Sequence, residues 1–89
     1  MDARDFETVR KQLLEAGVKE DGARYDESAF GSWFVVIERN PRLRVDWDGK
    51  DGRLTLQRQR VEGEWEDLWV AEAETDQTLA GLMQAITSV

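Results

Sequence analysis

The chain has 89 residues, no cysteine and no histidine, and 19 acidic against 12 basic side chains, for a formal net charge of −7 and a pI near 4.5. That length holds one domain with a modest core, and the missing residue types exclude disulfides, thiolate metal sites, the usual zinc sites and histidine acid–base catalysis. No run approaches the ~18 apolar residues of a membrane span and Met1-Asp2-Ala3-Arg4-Asp5 lacks an apolar signal region, so the expectation is a soluble, cytoplasmic single domain over residues 1–89.

Asp2 is placed to cap a first helix running to about Ala16, with Phe6, Val9, Leu13 and Leu14 on one apolar stripe and Gly17 as its stop. Residues 18–28 show no clear period and read as the longest connection, with room for a short turn or strand. Ala29 to Ala71 reads as a four-stranded antiparallel meander. Its first strand, Phe30 to Glu38, is β-branched and aromatic and is stopped by Arg39-Asn40-Pro41-Arg42. A four-residue loop at 39–42 pairs Val36 with Val45 and Phe34 with Trp47. A second loop at 48–51, between two Asp-Gly pairs, matches Leu43 with Leu56 and Val45 with Leu54. The turn at Glu62-Gly63 pairs Arg60 with Trp65, Arg58 with Asp67, Leu56 with Trp69 and Leu54 with Ala71. One apolar face results: Phe34, Val36, Leu43, Val45, Trp47, Leu54, Leu56, Trp69 and Ala71. A second helix starts near Thr75 or Asp76 and carries Leu79, Leu82, Met83 and Ile86 at helical spacing. The predicted fold is therefore α+β, a four-stranded antiparallel β-meander flanked by N- and C-terminal helices (α-β-β-β-β-α).

In this register the second sheet face is polar in the middle but apolar at its flanks, with Trp33, Val35 and Ile37 on one outer strand and Leu68 and Val70 on the other. Such a row marks either a docking surface or a place where residues 18–28, led by Val18 and Tyr25, fold back over Trp33 and Ile37. Self-association through the first strand is a further use of it. Charge is unevenly spread: residues 61–76 hold seven acids and no base, whereas residues 39–60 are net basic. A solvated strand neighbouring one of opposite sign accounts for this in part, and an acidic surface that attracts a basic partner is the sharper reading.

Three other chemistries fit less well. Asp46-Trp47-Asp48-Gly49-Lys50-Asp51-Gly52 has the look of a calcium loop, but Lys50, Asp51 and Gln57 stand where an oxygen ligand, a glycine and a glutamate are needed, so no metal and no cofactor is expected. The same aspartates lack any sequence signal that would desolvate them or separate their roles as acid and base, so no enzymatic activity is expected. The arginines of the hairpins, Arg39, Arg42, Arg44, Arg53, Arg58 and Arg60, near Trp33 and Trp47, offer a nucleic-acid surface, against which stand the low pI and the core placement of Trp47.

The run from Gly31-Ser32-Trp33 through Trp47-Asp48-Gly49-Lys50-Asp51-Gly52 to Gly63-Glu64-Trp65-Glu66-Asp67-Leu68-Trp69, in a short acidic chain without catalytic equipment, resembles the immunity proteins of bacterial contact-dependent and polymorphic toxin systems. That resemblance implies a cytoplasmic inhibitor that occludes a cognate, often basic, toxin domain. The build is also similar to small acidic secretion chaperones. The expected partner-binding residues are Trp33, Glu64, Trp65, Glu66, Glu72 and Glu74, the acids steering a basic protein and the tryptophans anchoring it.

Overall fold

The computed structural model describes residues 1–61, 63–72 and 76–89. Along the chain lie α1 (Ala3–Glu15), β1 (Glu20–Asp26), β2 (Ser32–Ile37), β3 (Leu43–Asp48), β4 (Arg53–Gln59), β5 (Trp65–Ala71) and α2 (Asp76–Ser88). The strands form one antiparallel sheet in the order β1-β2-β3-β4-β5. The α+β class holds, with a fifth strand where the sequence predicts four.

That extra strand is β1, from the segment expected to be a connection. It is polar and charged, with only Ala23 and Tyr25 turned towards the core, so it carries little apolar alternation. A register irregularity between Glu20 and Ala23 and the charges around it suit an outer strand, where regular pairing invites another chain. Because β1 pairs with one side of β2 and β3 with the other, the strand expected to be an outer one and to mediate self-association is interior.

Asp2 caps α1 as expected. Its carboxylate accepts the N–H groups of Arg4 and Asp5 at 2.9 and 3.2 Å, and the Asp5 carboxylate accepts the Asp2 N–H in return. Gly17 ends the helix in the left-handed region, at φ 77°. Phe6, Val9 and Leu13 are buried, whereas Leu14, one residue on and about 100° round the helix, is 75% exposed and leaves the expected stripe. In α2, Leu82 and Ile86 are buried with Leu79 and Met83 packed beside them. A Cβ at Gly81 would lie 3.2 Å from the Trp69 ring, so the absence of a side chain there lets α2 settle onto the indole.

The first hairpin differs from expectation by one residue. Trp33 pairs with Trp47, Val35 with Val45 and Ile37 with Leu43, so the connection is the five residues 38–42. Every position from Trp33 to Ile37 is apolar, so periodicity cannot choose a face, and bulk decides. Trp33, Val35 and Ile37 go inside, where Trp33 meets Phe6 of α1 with ring centres 5.5 Å apart, and Phe34 and Val36 turn out. The Glu38 N–H bonds the Lys19 carbonyl at 2.8 Å, carrying the strand past the core before the turn begins.

The second hairpin keeps its faces but slides by two residues, pairing Trp47 with Leu54, Val45 with Leu56 and Leu43 with Arg58. Asp48 sets this turn: its side chain accepts the N–H groups of Lys50 and Asp51, and its carbonyl accepts that of Gly52 at 2.8 Å. A Cβ at Gly49 would overlap the Phe30 carbonyl oxygen, so this turn sits directly against the entry to β2. In the third hairpin Leu56 faces Trp69 and Leu54 faces Ala71 as expected. An irregularity between Leu56 and Gln57 then pairs Gln57 with Asp67, Arg58 with Glu66 and Gln59 with Trp65.

The core cluster runs from Phe6, Val9 and Leu13 through Trp33, Val35, Ile37, Leu43, Val45, Trp47, Leu54 and Leu56 to Leu82 and Ile86. α1 lies on β1 and β2 and α2 on β4 and β5, both on this face.

Replacing Trp33 by Ala should cost ~3–5 kcal/mol, comparable with the whole net stability of a domain this size. Phe34→Ala, on the opposite face, should cost about 1 kcal/mol. Urea melts of the two variants check this. Equal destabilisation, or a larger effect at Phe34, would contradict the register.

Candidate partner-binding surface

The parity that buries Trp33 also composes the opposite face of the sheet, which neither helix covers. Cross-strand partners share a face. Arg24, Phe34, Asp46, Thr55 and Val70 therefore form one transverse row, and Val36, Arg44, Gln57 and Asp67 the next. Trp65 lies beyond them, opposite Gln59.

The second row is wired together. Arg44 Nε donates to Gln57 Oε1 at 2.8 Å, and Gln57 Nε2 donates to Asp67 Oδ1 at 3.0 Å. The Arg44 guanidinium lies over the Trp65 ring, 4.4 Å from its centre. A guanidinium held at one nitrogen and stacked on an indole keeps a fixed orientation, so this corner offers a rigid aromatic surface.

In the first row the central residue is the unusual one. Asp46 occupies the middle strand, half-buried between Phe34 and Thr55, and Thr55 is itself buried. Among the described residues no cation comes within ion-pair distance of Asp46 and no donor bonds it. Burial pushes its carboxyl above the ordinary value, Arg44 opposes that, and the neighbouring Asp48 and Asp67 add to it. Beside Asp46 and Phe34 lies a pocket of about 290 Å³, also lined by Arg24, Asp26, Ala29 and Ser32.

The expected partner-binding residues are scattered by the fold. Trp33 is 2% exposed in the core, against Phe6 of α1 and with Tyr25 of β1 as its cross-strand neighbour, so residues 18–28 do pack beside it and it is no surface anchor. Its indole N–H is buried with no acceptor among the described residues. Trp65 is half-buried on the open face. Glu64 is exposed just before β5, with no ion-pair partner among the described residues. Glu66 pairs with Arg58 at 2.8 Å and approaches Arg60 at 3.8 Å, and the hydrogen bond from Arg58 holds its carboxyl below the usual value. Glu72 approaches Arg53 at 3.6 Å, and Glu74 lies outside the described residues.

The arginines are similarly committed. Arg42 pairs with Asp21 at 2.9 Å, and Arg39 donates to the carbonyls of Ile86 and Val89 at the end of α2, both at 3.2 Å. With Trp33 and Trp47 in the core, the aromatic stacking platform imagined beside these arginines is not on the surface. Among the described residues no group of three or more acidic side chains is placed to hold a metal ion. Among the described residues no helix is long and apolar enough to cross a membrane.

Sequence reasoning missed Phe34, Val36 and Asp46. The first two follow from parity alone. Asp46 was readable as an outward position on β3, but its partial burial comes from neighbours on β2 and β4, which no local pattern encodes. No protein-family model, curated protein or solved structure matches the chain.

The Asp46 carboxyl has a folded pKa raised above its unfolded one, so its charged form is disfavoured in the fold and stability falls as pH rises through the carboxylate range. Asp46→Asn should therefore raise the melting temperature at pH 7. That gain should vanish near about pH 3, where the aspartate is protonated in both states. The charged groups facing this position are Arg24 and Asp26 from β1, Arg44 and Asp48 from β3 and Asp67 from β5, so the comparison is made at fixed ionic strength. A variant less stable than the parent at pH 7 would contradict the placement.

Proposed function

We propose that this protein is a non-catalytic binding module that docks a basic protein partner on the open face of its sheet, and that it acts as an inhibitor of the immunity type, neutralising a toxin domain by occlusion. The observation that carries the reading is the helix-free face itself. Phe34, Val36 and Trp65 lie on it half-buried and Val70 is 45% exposed, on the same face as a central carboxylate, Asp46, that has no ion-pair partner among the described residues. Apolar and aromatic groups gathered on a rigid sheet supply desolvated contact, while unpaired carboxylates select the sign of the partner.

The pairing of charges within the sheet supports a basic partner over an acidic one. The hairpin arginines are largely neutralised by acids of β5 and β1, whereas Asp46, Asp67 and Glu64 have no ion-pair partner among the described residues. A partner rich in lysine and arginine would be drawn in by the overall charge of −7 and by these local carboxylates together.

The test uses the purified product of any larger toxin-like reading frame found beside this one. Association should slow steeply with added salt and fall further in a Glu64→Lys, Asp67→Lys double variant. Dissociation should quicken about tenfold or more in Phe34→Ala and in Trp65→Ala, with the former melting only the few degrees below the parent that about 1 kcal/mol implies. Wild-type rates in all three variants would place the interface elsewhere and overturn the reading.

A further inference from the structure

We propose that the pocket beside Asp46 is the seat of an arginine side chain of the partner, whose guanidinium pairs with the Asp46 carboxylate while its stem and plane lie on the Phe34 ring. This rests on the open face being the docking surface and adds the chemistry of its centre.

Position argues for it first. Asp46 stands on the middle strand of five, in the middle of the transverse row, where a docked partner excludes water most completely. Its surroundings argue for it next. Among the described residues no donor bonds the half-buried Asp46 carboxylate and no cation lies within ion-pair distance of it, an arrangement that costs stability and that a charged donor would relieve. The other carboxylate of the pocket, Asp26, is already occupied: it accepts the backbone N–H and hydroxyl of Ser28 at 3.1 and 2.7 Å and lies 3.8 Å from Arg24. Asp46 is therefore the acceptor left over.

The shape of the site selects the cation. Phe34 faces Asp46 directly across the β2–β3 pair, so a planar guanidinium can meet a carboxylate and an aromatic face together, which a compact, strongly hydrated ammonium does less well. An anionic group would meet the carboxylates of Asp46 and Asp26 in the pocket lining instead. Of the guanidiniums on this face, Arg44 is held by Gln57 and by its stack on Trp65, and Arg24, which also lines the pocket, lies 3.8 Å from the Asp26 carboxylate.

The experiment titrates the full-length isotope-labelled protein with N-acetyl-arginine amide and, as its neutral isostere, N-acetyl-citrulline amide, following backbone and carboxyl resonances by NMR. The arginine probe should shift Ser32, Phe34 and Asp46 in one saturable step, and the citrulline probe should not. Asp46→Asn should weaken the arginine probe at least tenfold, while Asp48→Asn should leave it within about twofold, consistent with one fully used carboxylate. Equal binding to Asp46→Asn, equal shifts with citrulline, or shifts centred on Glu64 and Glu66 would each overturn the proposal. With a purified partner the two readings separate: if Phe34→Ala and Trp65→Ala weaken the complex but Asp46→Asn does not, the docking face stands and the arginine seat falls.

Discussion

Val35 lies opposite Val45 with neither in contact with water, and the rest of the molecule follows from that pairing. With a strand apolar at five consecutive positions, either face could have been buried, and the choice propagates through the whole sheet because side chains alternate strictly along a strand. Setting Val35 against Val45 puts Trp33 beneath α1 and brings Ile37 onto Leu43. It also sends Phe34 and Val36 to the side that has no helices. The core and the composition of the open face are thus two consequences of one register.

A second constraint is electrostatic. The chain carries a large excess of acids, yet the sheet uses its basic residues internally: Arg58 and Arg60 on Glu66, Arg53 on Glu72, Arg42 on Asp21. These exposed pairs contribute little stability individually. Their effect is on what remains, since cations tied to local partners are less available to an incoming anion, and carboxylates without partners face solvent uncompensated. Asp46 is the extreme case because it is also partly desolvated. Its charged form is thereby disfavoured at the centre of an otherwise well-packed sheet.

Much of this architecture was legible from local chemistry. The Asp2 cap, the Phe6–Val9–Leu13 stripe, the α2 stripe and the pairing of Leu56 with Trp69 all rest on interactions within a few residues or on a single turn, and the fold keeps them. What was not legible depends on long-range competition. Glu20–Asp26 is a strand because β2 needs a partner and α1 delivers the chain to its edge, not because its own residues alternate clearly. Trp33 resembled an exposed anchor because the four positions after it, Phe34 to Ile37, are equally apolar, and only the volume available under Phe6 tells the two faces apart. The Arg58–Glu66 pair replaced the expected Arg58–Asp67 pair through one irregularity in β5 that no turn residue announces.

The central claim, that the β2–β3 register buries the Trp33 face and leaves the Phe34 face open, is most directly tested by cross-strand nuclear Overhauser contacts in the labelled protein. The account predicts contacts from Val35 methyls to Val45 methyls and from the Trp33 indole to the Phe6 ring, with Phe34 ring protons reaching the Asp46 and Thr55 side chains. Contacts from Val36 methyls to Val45 methyls, with the Phe34 ring against Trp47 and the Trp33 indole free of Phe6, would contradict it.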